Sequence, residues 1–122
     1  MDDQFNVREF DGRVALVTLP PTLTQESAAE LRKVVNGQID AGRLELLVVC
    51  DKLTRVDSKV LSCLNQAAFR LSTVQGQLHI VSPSPAVYDQ LKAAGSIGSV
   101  EFHMSEKMAL EVVGIKADEV SS

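Results

Sequence analysis

A short apolar run in the middle of the chain constrains the fold more than any other feature. The segment Leu44–Cys50 is apolar at every position except Glu45. A run of this length without polar alternation is typical of a strand buried on both faces, as in a parallel sheet that is covered by helices. Because both flanking segments carry apolar residues at spacings of three and four, the sequence predicts an α/β fold with right-handed crossovers.

The chain opens with the pattern of a β-hairpin. A loosely alternating run, Phe5–Phe10, is followed by Asp11-Gly12 and then by the β-rich run Arg13–Leu19. Asp and Gly accept the positive φ angles of a tight turn, so the first two strands are predicted to be antiparallel. Pro20-Pro21 ends the second strand, because proline cannot donate a hydrogen bond to a neighbouring strand.

Four helices are predicted after the hairpin, separated by the apolar run and by short strands at 78–81 and 99–102. The element order is β-β-α-β-α-β-α-β-α, a mixed and mostly parallel sheet with helices packed mainly on one face. We expect one domain over residues 1–115 and a frayed tail over 116–122. The residues expected to cap the helices are Thr24, Asp57 or Ser58, Ser84 before Pro85, and Ser105. The predicted core positions are Ala28, Leu31, Val34, Val35 and Ile39 in the first helix, Val60, Leu61, Leu64, Ala68 and Leu71 in the second, and Val87, Leu91 and Ala94 in the third.

The composition fits one soluble domain. The 122 residues include 45% hydrophobic and 23% charged residues, as in ordinary globular proteins. The net charge of −4 and the scattered basic residues argue against nucleic acid as a partner. No apolar run reaches the roughly 18–20 residues that cross a bilayer, and no signal peptide pattern begins the chain. Cys50 and Cys63 are expected to be reduced, buried thiols, which predicts a cytoplasmic location.

Familiar catalytic and cofactor motifs are missing from the sequence. It contains no Gly-x-Gly-x-x-Gly motif and no phosphate-binding loop ending in Gly-Lys-Ser/Thr. His79 and His103 are far apart, and no Cys or Glu joins them in a ligand spacing, so we expect neither a metal site nor a hydrolytic triad. The sequence therefore predicts a binding protein that is not an enzyme and has no cofactor.

The loop after the central strand is the best candidate for a functional site. Residues 51–58 are rich in hydrogen-bonding side chains and lie at the carboxyl end of a strand, where open α/β sheets place their sites. Asp57 or Ser58 can cap the next helix by accepting a backbone N–H. Ser58 can also be a phosphorylation site, because a phosphate of about −1.5 to −2 charges is tolerated at a helix N-terminus. The two roles are compatible, since a capping serine can also be a kinase substrate.

Four segments, in order, carry a family resemblance. The first is the hairpin with Leu23-Thr24 and the helix at 28–32, and the second is the strand Leu46–Val49 leading to Val56-Asp57-Ser58. The third is the segment 76–81 followed by Ser82-Pro83-Ser84-Pro85, and the fourth is Leu91–Gly95 followed by a short strand and a helix at 108–110. Together they resemble the STAS domain family, the anti-sigma factor antagonists, over nearly the whole chain.

The resemblance implies a bacterial protein that regulates transcription by binding a partner. In that family the serine directly after the Asp of an Asp-Ser-Ser/Thr-Gly turn is phosphorylated, and Ser58 holds that position here. The unphosphorylated protein would bind an anti-sigma factor that is also a serine kinase, and so free a sigma factor. Phosphorylation of Ser58 would loosen the complex, and a phosphatase would reset it. The expected partner-binding residues are Thr24, Asp57, Ser58, Lys59 and Ser62, in a protein that is a monomer or a weak dimer.

Three positions depart from the family pattern. Lys59 replaces the usual Ser or Thr, Val60 replaces the usual Gly, and Thr24 stands where many members have Asp. Lys59 would partly offset a phosphate charge or alter which kinase recognises the turn. Val60 disfavours positive φ, which predicts that the turn enters the helix directly.

Other functions stay open at this point. The altered turn is compatible with a constitutive STAS scaffold subunit, in a lipid-transporting ABC complex or a chemosensory or stressosome-like assembly. A phospho-accepting receiver domain would use Asp51, but a receiver begins β-α-β and needs an acidic pair after its first strand, whereas Asp2-Asp3 precede that strand here. A nucleotide or small ligand at the turn is compatible with the same family.

Overall fold

Helices and strands alternate after an opening pair of strands in the structure, a computed structural model that describes residues 5–21, 23, 25–54, 56, 58–93 and 100–115. The strands are β1 Asn6–Phe10, β2 Val14–Thr18, β3 Glu45–Val49, β4 Gln77–Val81 and β5 Val100–His103. The helices are α1 Gln25–Asp40, α2 Ser58–Thr73, α3 Pro85–Ala93 and α4 Glu106–Val112. The predicted element order is confirmed, and each strand lies within one residue of its predicted bounds. The predicted tail, 116–122, lies outside the described residues.

The five strands form one mixed sheet in the order β1-β2-β3-β4-β5. β1 and β2 are antiparallel, whereas all later neighbours are parallel. The turn between β1 and β2 has Asp11 at φ 60° and Gly12 at φ 72°, the left-handed conformations that a tight hairpin needs. The predicted hairpin and parallel sheet are both confirmed, and β3 lies at the centre of the sheet.

The two faces of the sheet are covered unequally. One face, with Leu46 and Ile80, packs against α1, α2 and α3 and forms the larger core. The other face, with Leu16 and Leu47, packs against α4. Because α4 has only 7 residues, and is therefore about 10 Å long, it leaves part of this second face to polar side chains. The expectation that helices pack mainly on one face is confirmed.

Most predicted helix positions face the core as expected. Val34, Ile39 and Leu61 are only partly buried, although they pack against the same core. Ala94 lies outside the described residues. In α2 the buried face is wider than predicted, because Cys63 and Ala67 also belong to it. The predicted helix positions that are fully buried are Ala28, Leu31, Val35, Val60, Leu64, Ala68, Leu71, Val87 and Leu91.

Two of the predicted helix caps are formed by serine hydroxyls. The oxygen of Ser84 accepts the N–H of Val87 at 3.2 Å, and that of Ser105 accepts the N–H of Met108 at 3.2 Å. Each bond satisfies a backbone donor that the first turn of a helix leaves without a partner.

Gln75 and Gly76, which separate α2 from β4, have different roles. Gln75, at φ 64°, is the left-handed residue there. Gly76 is needed for space, because a Cβ at this position would lie 2.5 Å from the backbone oxygen of Leu44. This close approach of α2's end to β3 allows β4 to pair beside it. Within the described part of the chain, no helix combines the length and the apolar character needed to cross a membrane.

Candidate functional site

Buried side chains anchor the loop between β3 and α2. The N–H of Cys50 donates to the oxygen of Val81 at 2.9 Å and so extends the pairing of β3 with β4. Leu53 and Val56, each 2% exposed, then insert into the core from within the loop. The loop therefore delivers the start of α2 to a fixed place at the carboxyl edge of the sheet.

A glutamine on α3 holds the loop just before α2 begins. The side-chain oxygen of Gln90 accepts the N–H of Val56 at 2.8 Å, and its Nε2 donates to the oxygen of Val56 at 2.6 Å. The amide thus satisfies both backbone groups of one residue, as a paired strand would. Since Val56 lies two positions before Ser58, this contact restrains where the serine is presented.

Ser58 is the first residue of α2, and its side chain is exposed. Val60 is fully buried two positions later, and none of the positive φ angles in the described chain falls in residues 58–60. The prediction that the turn enters the helix directly is confirmed. The hydroxyl of Ser58 is accordingly presented to solvent at a helix N-terminus.

Two surface grooves meet at Ser58. The first, which we name the α2 groove, has a volume of about 570 Å³ and runs along the outer side of α2. The second, the α1–α2 groove, has a volume of about 510 Å³ and lies between the two helices. Ser58 and Ser62 line both grooves. The other lining residues are Leu61, Asn65, Gln66, Phe69 and Arg70 in the α2 groove, and Ala28, Ala29, Arg32 and Lys59 in the α1–α2 groove.

Positive charge surrounds Ser58 on the side of α1. Arg32 and Lys59 line the α1–α2 groove beside it. Burial raises the pKa of the Cys63 thiol, and the nearby Arg32 guanidinium partly opposes that rise. The first turn of α2 contains no acidic side chain, so the positive end of the helix dipole adds to the same potential. The described residues on this side of Ser58 favour a negative group there.

Thiol chemistry is not available at this loop. Both cysteines are free and buried, as predicted. Burial, with a smaller contribution from Asp51, raises the pKa of Cys50 to about 12. Because the thiolate is the reactive form, Cys50 is inert at neutral pH.

Comparison with known proteins assigns the family. The STAS domain profile matches residues 5–109 of the chain. The chain belongs to the STAS domain family. No curated protein sequence matches it.

Solved structures of anti-sigma factor antagonists share the fold. The anti-sigma factor antagonist SpoIIAA in its unphosphorylated form superposes with a TM-score of 0.78 at 18% identity, covering 92% of this chain and 98% of SpoIIAA. The phosphorylated form of SpoIIAA, from Bacillus, gives 0.75 at 15% identity, with coverages of 89% and 98%. An anti-sigma factor antagonist from Mycobacterium paratuberculosis gives 0.77 at 18% identity, with coverages of 89% and 92%.

The STAS domain brings three of the five predicted site residues together. Ser58, Lys59 and Ser62 are all exposed at the N-terminal end of α2 and line the α1–α2 groove. Ser62 lies one turn after Ser58, as expected. Thr24 and Asp57 lie outside the described residues.

Sequence reasoning missed three residues that build this site. Phe69 is 69% exposed in the α2 groove, Arg32 faces Ser58 across the other groove, and Gln90 holds the loop. A signal for Phe69 was present, because it stands eleven positions after Ser58 and so falls on the same side of a helix. No local pattern identifies Gln90, since its partner is a backbone group distant in sequence.

A second polar cluster lies on the face of the sheet that α4 covers. The pairing of β4 with β5 sets His79 opposite Glu101 and Val81 opposite His103. Because residues two apart share a face of a strand, both imidazoles and the Glu101 carboxylate lie on that face. His79 Nδ1 is 2.9 Å from His103 Nε2. Our expectation that no Glu joins the two histidines in a ligand spacing is wrong, because Glu101 lies beside both of them once β4 and β5 pair.

Proposed function

We propose that this STAS domain is an anti-sigma factor antagonist whose binding is switched off by phosphorylation of Ser58. Its partner is an anti-sigma factor that is also a serine kinase, and a phosphatase restores the binding form. The observation that carries this proposal is the exposed Ser58 side chain, at the first residue of α2, where two grooves meet. The similarity to SpoIIAA, which has been solved in both phosphorylated and unphosphorylated forms, supports it. Such a protein acts in the cytoplasm, as a monomer or weak dimer.

The fold tolerates a phosphate at Ser58. A phosphoserine adds about −1.5 to −2 charges at neutral pH. Here that charge meets a helix N-terminus, the exposed side chain of Arg32 and the neighbouring Lys59. Each favourable contact of this kind contributes about 0.3–1 kcal/mol at an exposed site. Phosphorylation therefore leaves the domain folded and changes only its surface.

A partner seated in the grooves does not tolerate the same phosphate. Both grooves include the Ser58 side chain in their walls, so a partner that fills either one covers the hydroxyl. Enclosing a phosphate there against a partner surface that offers no cation of its own costs several kcal/mol, because a buried charge loses its hydration. A loss of about 2.7 kcal/mol corresponds to a hundredfold weaker complex. A local change of charge is thus enough to separate the two proteins.

The partner surface extends along α2 from Ser58. Phe69 offers the large exposed aromatic side chain that anchors many protein interfaces. Lys59 and Ser62 supply polar contacts nearer the switch. Thr24 and Asp57 belong to the proposed surface through their positions in the family pattern. A partner that spans this surface contacts both the Ser58 hydroxyl and the rest of the exposed side of α2.

The binding test uses the full, tag-free chain and the serine-kinase anti-sigma factor of the same organism, titrated calorimetrically with ADP so that no phosphate is transferred. Ser58→Glu should weaken the complex at least tenfold, whereas Ser58→Ala should bind within about threefold of the wild type. Phe69→Ser should weaken it about tenfold, since hot-spot aromatics contribute 1–2 kcal/mol or more.

Met108→Glu is the control. It adds a negative charge at a half-exposed position on α4, on the other side of the sheet from both grooves. We expect it to bind like the wild type. Equal binding by Ser58→Glu and Met108→Glu would refute the proposed switch.

A constitutive scaffold is the second candidate, and the residues after Ser58 favour it. Val60 is fully buried and Lys59 stands where a family kinase would meet Ser or Thr. In this role the grooves bind a transporter subunit or a signalling assembly regardless of the state of Ser58. Affinity purification from the native organism that returns a transporter ATPase, together with unchanged capture by Ser58→Glu, would establish this role in place of the first.

A further inference from the structure

Two histidines and a glutamate converge beside α4, away from the grooves around Ser58. His79 is on β4, and Glu101 and His103 are on β5. The His79 side chain is 2% exposed and that of His103 is 10% exposed, whereas Glu101 is half exposed. The donor atoms of the three side chains all lie within 4.8 Å of one another. Two largely buried imidazoles therefore lie beside one half-exposed carboxylate.

The three donor atoms have the spacing of a metal site. His79 Nδ1 is 2.9 Å from His103 Nε2 and 3.6 Å from Glu101 Oε1, and His103 Nε2 is 3.8 Å from that oxygen. A point equidistant from three atoms with these separations lies about 2.0 Å from each, which matches zinc–nitrogen and zinc–oxygen bonds of about 2.0–2.2 Å. An ion can therefore be placed without moving the strands.

A fourth residue prepares His79 to be a ligand. Its Nε2 lies 2.7 Å from Glu45 Oε1 on β3. A carboxylate accepts this bond from an N–H, which leaves the lone pair on Nδ1, the atom that faces His103. Carboxylate, histidine and metal in series are the usual arrangement of a metal-binding imidazole and its outer partner.

His103 is also held and kept available. The N–H of Ser82 donates to its backbone oxygen at 2.8 Å, and the Ser82 hydroxyl donates to the oxygen of Met104 at 3.0 Å. Without an ion, His103 Nε2–H donates to His79 Nδ1; with one, that proton moves to His103 Nδ1.

The cluster is open to solvent on one side. A cavity of about 320 Å³ reaches His79 and Glu101. Its walls combine the start of β3, the turn before β4 and the end of α4. The other lining residues are Glu45, Gln75, Gly76, Gln77, Val112 and Val113. An ion has an entry path, and water has room to complete its coordination.

We propose that His79, Glu101 and His103 form a binding site for a divalent transition-metal ion, with Zn²⁺ as the favoured ion. Two imidazoles and one carboxylate suit Zn²⁺, Ni²⁺ or Co²⁺ and not Ca²⁺ or Mg²⁺, which prefer oxygen ligands. The ion links β4 to β5 on the face that α4 covers only in part. Because binding favours the folded state, the site makes stability depend on the metal.

The test titrates tag-free, chelator-treated protein with ZnCl₂ by calorimetry, with MgCl₂ as a comparison, and records the visible spectrum with CoCl₂. We expect one equivalent of Zn²⁺, no heat with Mg²⁺, the intense bands of four-coordinate Co²⁺ and a higher Tm with Zn²⁺. Glu101→Gln and His103→Gln should each weaken Zn²⁺ binding at least tenfold, and Glu45→Gln about 10–100-fold through His79.

Glu111→Gln on α4 is the matched control, because it makes the same change of charge at an exposed position outside the cluster. It should bind Zn²⁺ like the wild type. Circular dichroism without metal checks that each variant is folded. Absence of stoichiometric Zn²⁺ binding by the wild type, or equal binding by Glu101→Gln and Glu111→Gln, would overturn the proposal.

Discussion

A carboxylate at position 58 should stabilise the free domain, although we expect it to weaken partner binding. Ser58 is exposed, begins α2 and is followed by a first turn without acidic side chains. A negative charge at such a site contributes about 0.3–1 kcal/mol through the helix dipole. Arg32 and Lys59 in the adjoining groove add up to about 0.2–1 kcal/mol. We therefore expect Ser58→Asp to gain about 1 kcal/mol of unfolding free energy.

Ser58→Asn is the matched comparison, since it has the same shape as Asp without the charge. Urea denaturation should show Ser58→Asp about 1 kcal/mol more stable than Ser58→Asn, with an equal m-value. For 122 residues, an unfolding entropy of about 2.1 cal/mol/K per residue converts that difference to about 4 °C in Tm. The difference should shrink in 0.5 M NaCl, because salt screens exposed charges.

A stability difference of the opposite sign between Ser58→Asp and Ser58→Asn would refute the reasoning. If Ser58→Asp is less stable than Ser58→Asn by more than about 0.5 kcal/mol, the hydroxyl does not face solvent at a helix N-terminus. A phosphate would then unfold the start of α2, and the switch would act through structure and not through surface charge.

Three further predictions concern the scaffold around the site. Gly37→Ala in α1 should stabilise the fold by about 0.5–1 kcal/mol, because the added Cβ meets open space. Gly76→Ala should destabilise it by about 1–3 kcal/mol, because its Cβ would lie 2.5 Å from a backbone oxygen. Urea denaturation measures both changes. Gln90→Ala should cost about 1–3 kcal/mol and speed amide exchange at Val56, whose N–H and oxygen both lose their partner. Burial raises the pKa of Cys50 in the folded chain from 9.0 to about 12, so above pH 9 this thiol ionises only in the unfolded chain. The free energy of unfolding of the wild type should therefore fall with rising pH, by up to about 1.4 kcal/mol per pH unit relative to Cys50→Ala.

Local patterns were sufficient for the elements but not for contacts between them. The apolar run at β3 and the Asp11-Gly12 turn report on neighbours in the sequence, so their predictions are confirmed. The need for glycine at position 76 depends on the close approach of the Leu44 backbone oxygen, which belongs to a residue distant in sequence. A contact between residues so far apart cannot be predicted from a short stretch of sequence.

The candidate site shows the same limit. The exposure of Ser58 follows from the strand-to-helix turn, and the structure agrees with it. The hydrogen bonds of Gln90 to Val56 and the contact of His79 with His103 depend on which helices and strands become neighbours. Once β4 and β5 are known to pair in register, the alternation of side chains along each strand is enough to bring the histidines together.

The central claim is that the solvent-facing hydroxyl at the start of α2 receives the phosphate. Its most direct test is to incubate the full chain with the cognate serine kinase and ATP and to locate the modification by tandem mass spectrometry of the digested protein. We predict one phosphate, on Ser58, and none on the Ser58→Ala variant. A phosphate on Ser62 instead, or an unmodified wild-type chain beside an active kinase, would contradict the account.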